Sequence, residues 1–236
     1  HGFLLFLVML TCVVATYGDE SDVQTLIKFK DSLFNNTALD NWNESISLCS
    51  GNDSKWNGVI CLNGDFYGLQ LENMGLGGLI DVETLAELSS LRIISFMNNH
   101  FQGPMPEIKK LGGGALRSLF LSNNQFSGEI PDDAFYGMKS LKKVYLANNE
   151  FTGKIPASLA GLPRLLDLQI EDNQFEGHLP DFSSKDLRAV NVANNKFNGP
   201  IPASLSNMNA TCFAGNNLCG KPLDPCKSSK KTRLYP

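Results

Sequence analysis

The chain has 236 residues, 42% of them hydrophobic and 19% charged, with a formal net charge of −4. This balance excludes a disordered or fibrous chain and leaves room for one or two ordinary domains. Net acidity argues against a nucleic-acid backbone as partner and suits a basic protein or peptide. In chain order, residues 3–15 form an apolar run too short for a comfortable membrane span. Small residues follow at Ala15, Thr16 and Gly18, before Asp19. Residues 1–18 therefore read as part of a secretory signal, and the rest as exported into an oxidising compartment.

Residues 19–65 read as an N-terminal cap. Val23, Leu26, Ile27, Lys30 and Leu33 lie at helical spacing, and Ser21 or Asp22 can cap the first turn, which predicts a helix over about 22–34. Its apolar face needs a surface to cover. Trp42 and Trp56 stand beside a cysteine pair and suit the core of such a cap better than ligand stacking.

Residues 66–202 contain six repeats of LxxLxLxxNxFxGxIP, clearest at 116–131 and 141–156. The ladder asparagines Asn99, Asn124, Asn149, Asn173 and Asn195 recur at intervals of 25, 25, 24 and 22, while Met74 occupies that place in the degenerate first repeat. A fixed period of this length marks a solenoid. In each coil the LxL leucines point inward from a short strand, and successive strands stack in parallel. The Asn amide can satisfy backbone groups of neighbouring coils. Phe101, Phe126, Phe151, Phe175 and Phe197 are expected to stack into an internal spine, with Gly and Pro fixing the bend that follows. The segments after each Pro, such as 132–138 and 157–162, suit short helices or 3-10 turns, and 112–114 a loosened turn.

Residues 203–226 read as a C-terminal cap and 227–236 as a basic tail of juxtamembrane type. Beyond Cys12 in the signal, the five remaining cysteines sit at the two ends of the repeat array. Cys49 is expected to pair with Cys61, closing a short loop that stabilises by roughly 3 kcal/mol. At the other end Cys219–Cys226 is favoured, with Cys212 free and buried; Cys212–Cys219 stays open. Asn-x-Ser/Thr signals occur at Asn35, Asn43, Asn52 and Asn209, all in the caps.

The repeat units, with the Trp56–Cys61 and Gly215–Cys226 segments, resemble the plant class of extracellular leucine-rich repeats. The segments 128–138 and 141–146 are most similar to the pollen receptor-like kinases. That resemblance implies an α/β solenoid: a right-handed superhelix with a parallel concave sheet, a second sheet formed by the xGxIP segments, and stapled caps. It implies a single-pass receptor at the plasma membrane, anchored and carrying its kinase domain outside this chain. It further implies perception of secreted, cysteine-rich peptides in pollen-tube growth or guidance.

No catalytic constellation, metal site or cofactor is expected: His100 and His178 stand far apart, each in a turn after a strand. The useful surface is the concave sheet. Alternation turns one row outward as Gln70, Ser95, Phe120, Tyr145, Gln169 and Asn191. The next row reads Glu72, Met97, Ser122, Ala147, Glu171 and Ala193. Met97, Phe120 and Tyr145 should form an exposed apolar strip beside an acidic patch of Asp167, Glu171 and Asp172, and Gln169 of the outward row joins them as a candidate ligand-binding residue. Aromatic anchors flanked by charge suit a protein-binding site. The leading reading is an ectodomain binding a secreted basic peptide or small protein. The alternatives are a co-receptor ectodomain and a secreted inhibitor of cell-wall-degrading enzymes.

Overall fold

The computed structural model describes residues 17–227; nearly all of the expected signal and of the basic tail lies outside them. The chain opens with helix α1 (Tyr17–Asp31). Strands β1 (Val59–Leu62), β2 (Asp65–Gln70) and β3 (Gly77–Gly78) follow, then α2 (Val82–Ala86). Next come β4 (Ile93–Ser95), β5 (His100–Gly103), β6 (Ser118–Phe120), β7 (Gln125–Glu129), β8 (Lys143–Tyr145) and β9 (Glu150–Gly153). After α3 (Ala157–Ala160) the chain continues with β10 (Asp167–Gln169), β11 (Gln174–Gly177), β12 (Ala189–Asn191), β13 (Lys196–Pro200) and β14 (Asn217–Cys219).

These strands alternate between two sheets. The concave sheet runs β1-β2-β4-β6-β8-β10-β12 and the second β14-β13-β11-β9-β7-β5-β3. Every neighbour pair is parallel except the hairpin β1–β2. That hairpin was not foreseen. Its turn is Asn63-Gly64, both at positive φ (56° and 96°), the geometry that Asn-Gly favours. The second sheet forms one step earlier than expected: its strands carry the Phe-x-Gly part of each unit, and the Ile-Pro part follows. The proline of that part has no N–H to give to a ladder, so pairing does not continue through it.

The interior is aromatic and amide-lined. Phe101, Phe126, Phe151, Phe175 and Phe197 stack at 6.0–6.4 Å between centroids. The stack continues into the cap through Phe96 and Phe29. Each ladder Asn bridges two coils. Asn149 Nδ2 donates to the carbonyls of Leu121, Leu146 and Ala147, and its Oδ1 accepts from Phe126 N–H at 3.0 Å. Asn216, inside the expected C-terminal cap, makes the same bonds to Val192, Phe213 and Phe197. The ladder therefore runs one rung past the sixth repeat. A second, outer row of residues at φ 52–58° precedes the ladder: Asn98, Asn123, Asn148, Asp172 and Asn194.

At the N-terminal end, α1 begins at Tyr17, so Ser21 and Asp22 lie within it and do not cap it. It ends at Asp31, before the expected limit, because Phe34 exchanges both backbone hydrogen bonds with Gly77. Leu26 and Phe29 form its fully buried face, with Val23 and Ile27 at the margin, and Leu33, just past its end, is buried beside them. Trp42 and Trp56 stack at 5.5 Å, both buried, and their indole N–H groups donate to the carbonyls of Asn57 and Ile46. They are cap core. Disulfides join Cys49 to Cys61 and Cys219 to Cys226. Cys212 is free but only half-buried.

The outer segments vary. Ala157–Ala160 is helical, whereas 132–137 is a run of turns. At 112–114 the backbone is left-handed (φ 57°, 54° and 79°), and a Cβ at Gly112 would lie 2.6 Å from the Leu91 carbonyl oxygen. Those glycines permit close coil approach as well as the turn.

Candidate functional site

The concave register places Ser95, Phe120, Tyr145, Gln169 and Asn191 side by side across β4, β6, β8, β10 and β12. Inward Leu119, Val144 and Leu168 are fully buried, so alternation forces their neighbours outward. Phe120 meets Tyr145 edge-on, with centroids 4.7 Å apart and an interplanar angle of 61°. Tyr145 Oη donates to Asp167 Oδ2 at 2.5 Å, and Gln169 Nε2 donates to Asp167 Oδ1 at 2.6 Å. Burial, together with the Asp167 bond, pushes the Tyr145 phenol up to about 12, so it remains a donor at ordinary pH.

The expected apolar strip is corrected in one respect. Met97, Phe120 and Tyr145 are half-buried, not exposed. The two rings cover each other, and Met97 lies in the neighbouring row, alongside Ser122, Ala147 and Glu171. The acidic patch also divides. Glu171 is half-buried; burial raises its pKa, and Asp172 and Asp167 add to that. One of its carboxylate oxygens, Oε2, is buried without a hydrogen-bond partner. Asp172 instead stands in the outer row, exposed, with Oδ1 accepting from Asn194 Nδ2 at 2.8 Å.

The structure thus brings together Phe120, Tyr145, Asp167, Gln169 and Glu171, and sets Met97 and Asp172 at the margin. Lys143 is the register neighbour of Asp167, yet Asp167 bonds to Tyr145 and Gln169. Among the described residues no ion pair involves Asp167, Glu171 or Asp172. The result is an aromatic shelf beside carboxylates held in no ion pair. Sequence reasoning missed Asn191, whose amide stands near Glu171 and favours its charged form. Its place in the outward row was the available signal.

His100 and His178 are exposed, and His100 opens β5 instead of following it. Among the described residues no cluster of His, Cys, Asp or Glu could hold a metal, and no helix is long and apolar enough to cross a membrane. All four glycosylation asparagines are exposed. A groove of about 820 Å³ lies elsewhere, along the second sheet near the N-terminal cap, where Phe34 and Leu79 are 66% and 63% exposed. The sequence hid it because Phe34 was assigned to the helix.

Two stacked parallel sheets, an Asn ladder and stapled caps define a leucine-rich-repeat ectodomain. Residues 114–175 match the family model described as Leucine rich repeat, 186–208 a second model of that repeat, and 19–62 the Leucine rich repeat N-terminal domain. The chain is 50% identical over 209 residues to Pollen receptor-like kinase 4 of Arabidopsis thaliana, covering 88% of this chain and 30% of that protein. The crystal structure of a Pollen Receptor Kinase 3 superimposes with a TM-score of 0.77 at 39% identity, covering 86% of this chain and 99% of that one. A further solved structure is the plant peptide hormone receptor RGFR1 in complex with RGF2. It matches at 29% identity and a TM-score of 0.53, over 60% of this chain and 23% of that one. The chain belongs to the pollen receptor-like kinase family. It spans about a third of the length of the curated relatives it matches.

Proposed function

We propose that this chain is the ligand-binding ectodomain of a single-pass receptor kinase and that its concave face takes a secreted, basic peptide or small protein. The observation that carries this reading is the Phe120–Tyr145 shelf beside Asp167 and Glu171, carboxylates that make no ion pair among the described residues. A structural role does not require two aromatic side chains on the outward row of a parallel sheet. A partner's apolar side chain can cover the rings while its Lys or Arg meets the acids, the combination that carries binding energy at interfaces. The relationship to a peptide hormone receptor solved with RGF2 supports a peptide as the ligand. The family resemblance supports a cysteine-rich peptide, a role in pollen-tube growth or guidance, and a kinase domain beyond residue 236.

Calorimetric titration of the ectodomain with basic, cysteine-rich secreted peptides tests this. Micromolar or tighter binding is expected, weakened at least tenfold by Tyr145→Ala and by Asp167→Lys with Glu171→Lys, and weakened by added salt. Full affinity in both variants would place the site elsewhere. Binding only to a preformed complex of a second receptor with its ligand would identify a co-receptor instead.

A further inference from the structure

The concave strands are each preceded by a short segment, and these segments stack as regularly as the strands. Arg92 N–H donates to the Tyr67 carbonyl, Arg117 to Arg92, Lys142 to Arg117, Leu166 to Lys142 and Arg188 to Leu166. One file of residues therefore runs the length of the solenoid, along one edge of the concave sheet. The segments 64–68, 89–93, 114–118, 139–143, 163–167 and 185–189 hold eight Lys or Arg and three Asp, in a chain of net charge −4. Of these cations only Arg92 is half-buried; the others are exposed. Among the described residues none makes an ion pair: the four salt bridges there use Lys28, Lys109 and Lys110. Arg117 Nη1 reaches across two coils to the Tyr67 hydroxyl at 3.0 Å, so side chains of this file do share one surface. The nearby acids do not neutralise it. Asp167 is held by Tyr145 and Gln169, and Asp65 and Asp186 make no ion pair there.

We propose that this basic edge binds a linear polyuronate, a sugar polymer with one carboxylate per ring, laid along the solenoid axis. Neighbouring strands are spaced by ~4.8 Å, about the length of a sugar ring, so cations recur at intervals of one or two rings along the file. Like-charged side chains held in a row by a rigid scaffold raise the local concentration of a polyanion through summed potential. A single file suits an extended chain better than a lipid plane, which needs a broad basic face. The file carries no aromatic ladder for stacked bases, which single-stranded nucleic acid would use. The sequons lie in the caps and leave this edge open.

The test measures binding of the purified ectodomain to polygalacturonate and to its fully methyl-esterified form. Binding to the charged polymer is expected, with loss on esterification and steep weakening between about 0.05 and 0.2 M salt. Lys142→Glu, Arg164→Glu and Arg188→Glu together should weaken it by about tenfold or more. The single variants Lys142→Glu and Arg188→Glu give smaller losses and guard against misfolding of the triple. Lys143 is left intact because it borders Asp167, so peptide binding by the concave face should survive in the triple variant. Equal binding of the methyl ester, an unchanged triple variant, or binding to phosphatidylserine vesicles but not to the polymer would each overturn the proposal.

Discussion

The two ends of the solenoid are sealed by different physics. At the N-terminal end Leu26, Phe29, Leu33, Leu39, Trp42, Leu48 and Trp56 are all buried, forming an apolar plug against the first coil. After Pro202, among the described residues, only Leu205 and Phe213 are buried. There the chain repeats one more Asn rung at Asn216 and then tapers into a seven-residue disulfide separation between Cys219 and Cys226. A stack of coils presents both an apolar cross-section and unpaired backbone groups at each end. The first end is closed chiefly by burial, the second chiefly by continuing the hydrogen bonds.

Substitutions can break or sharpen that contrast. Trp56→Ala should cost about 3–5 kcal/mol, and Phe213→Ala, in looser surroundings that can collapse, a value near the lower limit. Equal losses in denaturant unfolding would mean that both ends are plugs. Phe151→Ala, in the middle of the spine, should match Trp56→Ala. Asn149→Ala strands several buried groups and should cost about 2–3 kcal/mol, whereas water can replace the half-buried Asn216 side chain, so Asn216→Ala should cost about 1 kcal/mol. A reversal of that order would show the C-terminal rung to be the stronger seal.

Glu171 provides a pH test of the open face. Its folded pKa is raised, so the folded state holds the proton more tightly than the unfolded chain. Its stabilisation is complete below the ordinary value of 4.5 and is lost as pH rises through the raised value. Glu171→Gln should flatten the decline in melting temperature over that window, and an unchanged decline would clear Glu171 of responsibility. The smallest effect expected is that of Cys212→Ser, within about 0.5 kcal/mol by thermal unfolding.

Much of the fold was legible because its signals are periodic. The spine phenylalanines, the ladder from Asn99 to Asn195 and the alternation that turns Phe120 and Tyr145 outward all follow from spacing alone. Phe29 escaped because the helical face was centred on Ile27 and Lys30, and burial against Phe96 decided otherwise. Asn216 escaped because the intervening coil has lost its leucines, and only the bonds to Val192 and Phe197 reveal the rung. Within the candidate site, residue placement was readable, but partnership was not. No spacing rule says that Asp167 will take Tyr145 and Gln169 over Lys143, or that Asp172 will leave the patch for the outer row.

That outer row has a direction. Asn148 Nδ2 donates to Asn123 and Asn123 Nδ2 to Asn98, each coil signing onto the one before it. Asn194 signs onto Asp172 in the same sense. Asp172 has no side-chain amide to pass on, so the sentence stops there and the rim is written as two clauses, split between the fourth and fifth coils. The same residue that adds negative charge beside the candidate site also leaves an unstitched seam on that margin. Asp172→Asn would join the clauses, and slower amide exchange at Asn148 would show that the seam had closed.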